Sequence, residues 1–251
     1  MMQEDGGFSA PPGWVLHHFR ETGSTNDLAE EAGRRGAPER SVFVADHQTR
    51  GRGRLDRRWL ELPGSSLLFS ILFRRHLSPP LLLTMACSVA ACRAIEKVAG
   101  VRAEVKWPND LMIGGRKLAG VLTEASWSER NPFAVVGVGV NVNFDPPKLP
   151  GIPDSATSLL KETGREISRQ RLLYEILVQL DALLAQDPAG LESSVRSEWA
   201  SRLWRRRQKV VVVDGAQLLE GVFEDVAEDG ALLLRLDDGS LQAVRVGDLQ
   251  V

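Results

Sequence analysis

The sequence predicts a β-sheet covered by helices, followed by a small β-barrel at the C-terminal end. Two observations carry this prediction. Up to about residue 203, short apolar runs typical of strands alternate with segments of helical periodicity. After WRRRQK at 204–209, apolar runs are separated by Asp-Gly and similar turns. With 251 residues, of which 43% are hydrophobic, the chain is long enough to bury a large core.

The strands of the first part are predicted from runs of Val, Phe, Leu and Ile that are bounded by polar or glycine-rich residues. These runs are 42–45, 67–73, 105–107, 111–113, 118–125 and 133–144. The segment GGRK at 114–117 separates two of them, which is typical of a hairpin turn.

Three helices are predicted in the same part. Ser24 and Thr25 both suit the N-cap of the first, which carries acidic residues in its first turn. The second begins at the prolines of 79–80 with Ser78 as its cap, and ends near residue 98 because Gly100 follows. The third covers 169–184, where leucines and an isoleucine recur on one side.

Four strands are predicted at the C-terminal end, at 210–213, 218–223, 231–236 and 241–246. A unit of this size buries too little apolar surface to be stable by itself. We therefore expect it to dock on the preceding part of the chain.

The composition excludes several classes of protein. Lys and Arg total 31 against 33 Asp and Glu, so the chain lacks the overall basic charge of a protein that coats nucleic acid. Cys87 and Cys92 are five residues apart in a predicted helix and point away from each other, which favours reduced thiols in the cytoplasm. Acidic residues near the N-terminus are not typical of a signal peptide, and no apolar run is long enough to span a membrane.

The densest positive charge lies in the arginine loop, which we define as residues 50–59. Five arginines occur between Arg50 and Arg58, and Gly51 and Gly53 alternate with them. Glycines let the backbone turn tightly, so that amides and guanidinium groups can face one anion, and phosphate is the natural ligand. A solvated charge patch or a nucleic-acid contact would explain the arginines alone, but Asp56 argues against a continuous nucleic-acid track.

Three further stretches combine glycine with polar residues. KWPNDLMIGGRKLAG at 106–120 gathers charged groups in a predicted hairpin, although turn chemistry alone explains its Pro-Asn-Asp. GVGVNVN at 137–143 is either a strand with bulges or a strand whose glycines let a ligand approach the backbone. GSTNDLAEEAG at 23–33 fits a plain helix start, and helix starts also bind polar ligands.

Together these stretches resemble the biotin protein ligases. The motifs STN at 24–26, QTRGRGR at 48–54, KWPNDL with RKLAG in 106–120, and GVGVN at 137–141 occur in that family's order. The resemblance implies an α+β fold in which helices pack on one side of a mixed sheet, shared with lipoate ligases, and an SH3-like C-terminal domain. It also implies a flexible lead-in at 1–13, a catalytic domain at 14–203 and the C-terminal domain at 204–251.

By this resemblance the chain forms biotinyl-5′-AMP from biotin and MgATP and then biotinylates a lysine of a carrier domain in a carboxylase of the acetyl-CoA carboxylase type. The catalytic residues implied are Arg54, Lys117 and Asp110. The implied biotin-binding residues are Ser24, Thr25, Asn26, Gln48, Gly51, Arg52, Lys117, Gly120 and Gly137. The implied ATP-binding and adenylate-binding residues are Arg52, Arg54, Trp59, Asn109, Lys117 and Asn141. No metal ligand is assigned, because Mg²⁺ usually arrives with ATP.

Two departures from the family pattern change the expectations. Asp56 stands where many members have a glycine, which affects the closed shape of the arginine loop. The stretch before Trp14 is too short for the helix-turn-helix domain of bifunctional members, so we expect no operator binding. The alternatives are a lipoate or octanoate ligase or transferase, a nucleic-acid-binding module and a non-catalytic interaction protein. A homodimer is compatible with the family.

Overall fold

The computed structural model describes residues 7–55, 57–74, 80–127, 131–146, 151–153, 155–215 and 217–250. Asp56 and the predicted cap Ser78 lie outside these residues, so the expectations placed on them stay predictions. The secondary structure in chain order is β1 Val15–Thr22, α1 Thr25–Arg34, β2 Ser41–Gln48, β3 Ser66–Phe73, α2 Pro80–Ala99, β4 Glu104–Lys106, β5 Asp110–Ile113, β6 Arg116–Ser126, β7 Phe133–Asn141, α3 Leu159–Thr163, α4 Arg169–Leu184, α5 Pro188–Ser201, β8 Lys209–Asp214, β9 Gln217–Val226, β10 Leu232–Arg235, β11 Leu241–Val244 and β12 Asp248–Gln250.

The main sheet has seven strands in the order β1-β2-β3-β7-β6-β5-β4. Strands β1 and β2 are parallel and every other neighbouring pair is antiparallel, so the sheet is mixed. This confirms the predicted fold class. The predicted hairpin is the β5–β6 connection, where Gly114 and Gly115 both have positive φ as a tight turn requires.

Helices cover the two faces of this sheet unequally. Alternate residues of β3, such as Phe69 and Ile71, belong to the large core that α2, α4 and α5 close. Leu72 points to the opposite face and packs with Ala29 of α1. The expectation of helices on one side is therefore correct for α2, α4 and α5 and wrong for α1, whose apolar stripe covers part of the other face.

The interior of α2 explains the behaviour of the two cysteines. Cys87 and Cys92 are fully buried free thiols, as the sequence predicted. Burial in apolar surroundings raises the pKa of the Cys87 thiol to about 12. Among the described residues, no helix is both long and apolar enough to cross a membrane.

The C-terminal strands form a separate antiparallel sheet in the order β11-β10-β9-β8-β12. It has one strand more than predicted, because β12 pairs with β8 after the four predicted runs. Phe223 and Leu232 enter the same buried cluster as the main sheet, and Trp107 Nε1 donates to Gly230 O at 3.0 Å. The expected docking of this small unit on the rest of the chain is thus present.

Candidate active site

A cavity of about 600 Å³ opens over one end of the main sheet. Every predicted site residue except Gly51 lines it: Ser24, Thr25, Asn26, Gln48, Arg52, Arg54, Trp59, Asn109, Asp110, Lys117, Gly120, Gly137 and Asn141. These residues come from separated parts of the chain, and the fold brings them together around one volume. The size suits a small organic ligand.

One wall of the cavity is the start of α1. Ser24 is the N-cap residue by its backbone angles, but its side chain makes no capping hydrogen bond within the described structure. The backbone N–H of Thr25 instead donates to Gln48 Oε1 at 2.7 Å, and Thr25 Oγ1 donates to the same oxygen at 3.0 Å. Gln48 of β2 therefore caps the helix, and the buried hydroxyls of Ser24 and Thr25 lie at the cavity surface.

The arginine loop forms the rim of the cavity and is held by its own backbone. Trp59 N donates to Gly51 O at 3.0 Å, and Gly53 N donates to Arg57 O at 2.7 Å. The Gly53 amide is thus used inside the loop and does not face an anion, contrary to our expectation. Gly51 lies behind the wall, where a Cβ would stand 3.2 Å from both Gln48 Nε2 and Trp59 Cβ.

Arg52 is held by two carboxylates that do not line the cavity. Its guanidinium donates to Asp27 in the first turn of α1 and, at 3.4 Å, to Glu124 Oε2 of β6. The hydrogen bond to Asp27 is the main reason why the pKa of Arg52 is raised. Arg52 itself lines the cavity, so the two acidic groups hold it from the outer side.

Arg54 connects the main sheet with the C-terminal sheet. Its guanidinium donates to Asn109 Oδ1 and to Gly247 O, each at 3.3 Å, and lies 3.7 Å from Asp248 Oδ1. Arg57 also forms an ion pair with Asp248. The start of β12 therefore contacts two arginines of the loop and contributes to the cavity wall.

Lys117 and Asp110 form an ion pair beside an aromatic ring. Lys117 Nζ lies 2.7 Å from Asp110 Oδ1 and 5.8 Å from the centroid of the Trp59 ring. The backbone of Lys117 is fixed as well, because Lys117 N donates to Ser155 O and Lys117 O accepts from Thr157 N. Such a fixed ammonium group is suited to an anionic ligand.

The floor of the cavity is built by glycines. A Cβ at Gly139 would stand 2.8 Å from Trp59 Cε2, and a Cβ at Gly120 would stand 3.3 Å from Trp59 Cζ3. A Cβ at Gly137 would stand 2.1 Å from Asn26 Oδ1. The glycines of β6 and β7 thus allow the Trp59 ring and the Asn26 amide to lie directly on the backbone, as close approach requires.

Asn141 closes the cavity from the far end of β7. Its buried side chain donates from Nδ2 to Thr157 O at 2.9 Å. This bond ties the segment around residues 155–157, which also lines the cavity, to the main sheet.

Lys106 lies in the same cavity, although no role was assigned to it from the sequence. Burial lowers its pKa, and the positive charge of Lys117 lowers it further, while Asp110 and Asp248 oppose both effects. Its proximity to Lys117 is a consequence of the β4–β5–β6 pairing, in which Lys106 stands opposite Asp110.

Two regions of the chain match known protein families. Residues 19–141 match the biotin/lipoate A/B protein ligase family, and residues 208–251 match the biotin protein ligase C-terminal domain. The chain is 31% identical over 249 residues to the biotin–acetyl-CoA-carboxylase ligase of Mycobacterium tuberculosis, which covers 96% of this chain and 90% of that protein. The chain belongs to the biotin protein ligase family.

Further relatives of this biotin protein ligase chain agree in sequence and in fold. It is 38% identical over 159 residues to the bifunctional ligase/repressor BirA of Bacillus subtilis, a match that covers 62% of this chain and 49% of that protein. The match thus spans about half the length of that relative. The biotin protein ligase of Aquifex aeolicus in complex with biotin and ATP superposes with a TM-score of 0.77 at 26% identity, over 94% of this chain and 97% of that one.

Several groups at this biotin protein ligase site were not predicted from the sequence. They are Ser70, Asp27, Glu124, Lys106 and Asp248. Ser70 and Glu124 lie inside runs that indicate only strands, and Asp248 follows the last predicted strand. Signals existed for Asp27 and Lys106, since an acidic residue in a first helical turn can face a basic loop and Lys106 begins the polar stretch KWPNDL.

Proposed function

We propose that this chain is an ATP-dependent biotin protein ligase. It forms biotinyl-5′-AMP and pyrophosphate from biotin and MgATP, and then transfers biotin to a lysine of a biotin carrier domain. The family membership supports the proposal, and the relatives named above include a biotin–acetyl-CoA-carboxylase ligase and a structure with biotin and ATP.

The composition of the cavity is the observation that carries this proposal. Six basic side chains line it, namely Arg52, Arg54, Arg57, Arg58, Lys106 and Lys117. Two acidic residues, Asp110 and Asp248, line it among the residues described. In a chain with a net charge of −2, this is a local concentration of positive charge next to uncharged hydrogen-bonding groups. It suits a ligand with an anionic end and a neutral polar end.

In the first step the biotin carboxylate attacks the α-phosphate, and the bond to the leaving pyrophosphate breaks. Negative charge develops on phosphate oxygens, and fixed cationic donors stabilise it best. We assign this role to Lys117, Arg54 and Arg52. Ser24, Thr25 and Gln48 would bind the ureido ring of biotin, while Trp59 and the glycine floor would accommodate the apolar part of biotin.

In the second step the acceptor lysine attacks the acyl carbon of the mixed anhydride, and AMP leaves. The amine must lose its proton to be nucleophilic, and Asp110 is the carboxylate beside the reacting region. We assign to Asp110 the orientation or deprotonation of that amine, with Asn109 beside it. Mg²⁺ would enter bound to the ATP phosphates.

We also propose that the catalytic and C-terminal domains meet near residue 204. The chain pairs with β4 at this point, where Trp204 N donates a hydrogen bond to Val105 O at 2.8 Å. It then enters the C-terminal sheet. Expression of 204–251 alone tests whether this unit depends on the rest of the chain, and we expect it to be unfolded because a small docked sheet buries too little apolar surface by itself.

Pyrophosphate release tests the function directly. The protein is mixed with MgATP and with biotin, lipoate, octanoate or nothing, in the absence of an acceptor protein. A burst of about one equivalent with biotin alone is expected, because the adenylate stays bound. A burst with lipoate or octanoate would contradict the substrate, and the absence of any burst would contradict the function.

A further inference from the structure

A chain of hydrogen bonds runs behind the cavity wall and connects four elements of the main sheet. Asn26 of α1 donates from Nδ2 to Glu124 of β6, and Ser70 of β3 donates to Asn26 Oδ1 at 2.6 Å. Ser70 Oγ also lies 2.7 Å from Thr25 Oγ1, within hydrogen-bond distance, and Thr25 Oγ1 donates to Gln48 Oε1 at 3.0 Å. Neither Ser70 nor Glu124 lines the cavity.

The middle of this chain is shielded from water. Ser70 is completely buried, while Thr25 and Asn26 are 3% and 5% exposed. Buried polar groups keep their partners because water cannot replace a lost one. The space above Gly137 holds the Asn26 amide against the backbone of β7, which fixes its position as well. The orientation of each group therefore depends on its neighbours.

Glu124 determines which groups donate and which accept along this series of hydrogen bonds. An ionised carboxylate can only accept hydrogen bonds, so the Asn26 amide must present Nδ2 to Glu124 and Oδ1 to Ser70. Because Asn26 Oδ1 can only accept, the single proton of Ser70 goes to it, and Ser70 Oγ offers lone pairs to the Thr25 hydroxyl.

This series of hydrogen bonds determines whether the Thr25 hydroxyl at the cavity surface can donate or accept. Its one proton is directed to the two acceptors behind the wall, Gln48 Oε1 and Ser70 Oγ. A ligand in the cavity therefore meets an oxygen that can accept a hydrogen bond and has no proton to donate.

We propose that Ser70 and Glu124 are positioning residues that make Thr25 a hydrogen-bond acceptor, so that the site selects a ligand with an N–H group at this point. This inference rests on the proposed function, since the ureido ring of biotin offers N–H donors. The dithiolane ring of lipoate and the alkyl end of octanoate offer none. A site built for a donor rejects analogues that leave its polar groups unpaired.

The test measures the biotin dissociation constant of the full chain by titration calorimetry without ATP. Ser70→Ala removes the oxygen that draws the Thr25 proton away from the cavity, and we expect the dissociation constant to rise roughly tenfold. Ser88→Ala is the matched control, because Ser88 is equally buried and donates to Thr84 O inside α2. We expect this control to bind biotin as the wild type does.

A double-mutant cycle separates positioning from a general loss of structure. In a Thr25→Val background the hydroxyl is absent, so Ser70→Ala is expected to change the dissociation constant by less than about twofold. Fully multiplicative effects of the two substitutions would overturn the inference. An unchanged dissociation constant in Ser70→Ala would also overturn it.

Glu124 provides a second variant should Ser70→Ala fold poorly. Glu124→Ala leaves a buried Asn26 donor unpaired and is expected to weaken biotin binding several-fold, roughly as a lost buried partner does. Glu124→Gln can keep an oxygen in the same place and is expected to restore most of the affinity. Glu30→Ala is the control, since Glu30 has a similar exposure and pairs with Arg34. Equal affinity in all three variants would contradict the inference.

The wild-type measurement separates a failure of the proposed function from a failure of this inference alone. A wild type that does not bind biotin overturns the proposed function and this inference together. A wild type that binds biotin, with variants that behave independently, overturns the inference alone.

Discussion

Lys117 Nζ and Asp110 Oδ1 form an ion pair 2.7 Å long between β6 and β5. Each group thus neutralises the other until a stronger partner arrives. An incoming carboxylate or phosphate would compete for Lys117, and its arrival would release Asp110 for the acceptor amine. In the proposed mechanism the pair would link the first step to the second.

Removing the positive charge of Lys117 is expected to slow adenylate formation strongly. Lys117→Met keeps most of the side-chain volume but removes the donor to the developing phosphate charge, which costs about 100-fold or more in rate. Biotin-dependent pyrophosphate release measures the effect. Lys97→Met is the control, because Lys97 forms an ion pair with Glu175 on a helix outside the cavity. Similar losses in both variants would argue against a specific role of Lys117.

Asp110→Asn is expected to affect the second step more than the first. Asn keeps the shape but cannot take a proton, so transfer should slow by about 100-fold or more, as for the loss of a general base. Single-turnover transfer from preformed biotinyl-AMP to a carrier domain measures this step, and pyrophosphate release measures the other. Normal rates of both steps in Asp110→Asn would show that this carboxylate is not used.

A side chain at residue 139 is expected to displace Trp59. The added Cβ of Gly139→Ala would lie 2.8 Å from the ring, so the ring or the strand must move. We expect biotin to bind roughly tenfold more weakly, as measured by calorimetry. Gly53→Ala is a useful contrast, because a Cβ there has no neighbour closer than 3.5 Å within the described structure. It should bind biotin normally.

Asp248 is expected to hold the arginine loop in place. Asp248→Asn removes the ion pair with Arg57, and the effect should be modest because Arg57 is exposed. We expect trypsin to cleave the loop about two- to fivefold faster. Biotin with ATP should suppress cleavage within 50–58, since an ordered loop shields the adenylate. Glu224→Gln, which breaks an ion pair with Arg235 elsewhere in the C-terminal sheet, is the control. Equal cleavage of both variants would contradict this role.

Lys106 is expected to lower the stability of the protein at neutral pH. Its pKa is lowered in the folded state, so the unfolded state binds the proton more tightly. The resulting loss of stability is complete below the folded pKa and disappears as the pH rises through the ordinary value of 10.5. Lys106→Met should therefore raise the melting temperature at pH 7, with a smaller gain at higher pH. The exposed Lys209→Met should show no such gain; an equal gain there would contradict the explanation.

The sequence predicted the elements whose pattern reflects burial. Helix α4 shows its apolar stripe directly, and the β5–β6 hairpin shows its glycine turn. Strand β1 was not predicted, because it lies at the edge of the sheet and its residues VLHHFRET alternate poorly between buried and exposed positions. Helix α5 was missed for a similar reason, since its sequence is largely polar.

The sequence predicted the residues that line the cavity but not the groups that hold them. The motifs identified the cavity-lining residues because glycine and charge in an apolar context are unusual in a core. Their partners were not accessible in this way. Glu124 reaches Asn26 across 98 positions of sequence, and that contact depends on the register of β6 against β7 and on the placement of α1. Register and packing of this kind are properties of the whole sheet, and no local pattern encodes them.

The contact between Gly137 and Asn26 restricts how the family can change over evolutionary time. Because a Cβ at 137 would lie 2.1 Å from Asn26 Oδ1, any larger residue at 137 requires a shorter one at 26. A shorter residue at 26 would in turn break the hydrogen bonds to Ser70 and Glu124. The two positions should therefore covary in homologous sequences, and single-step replacements at either one should be rare.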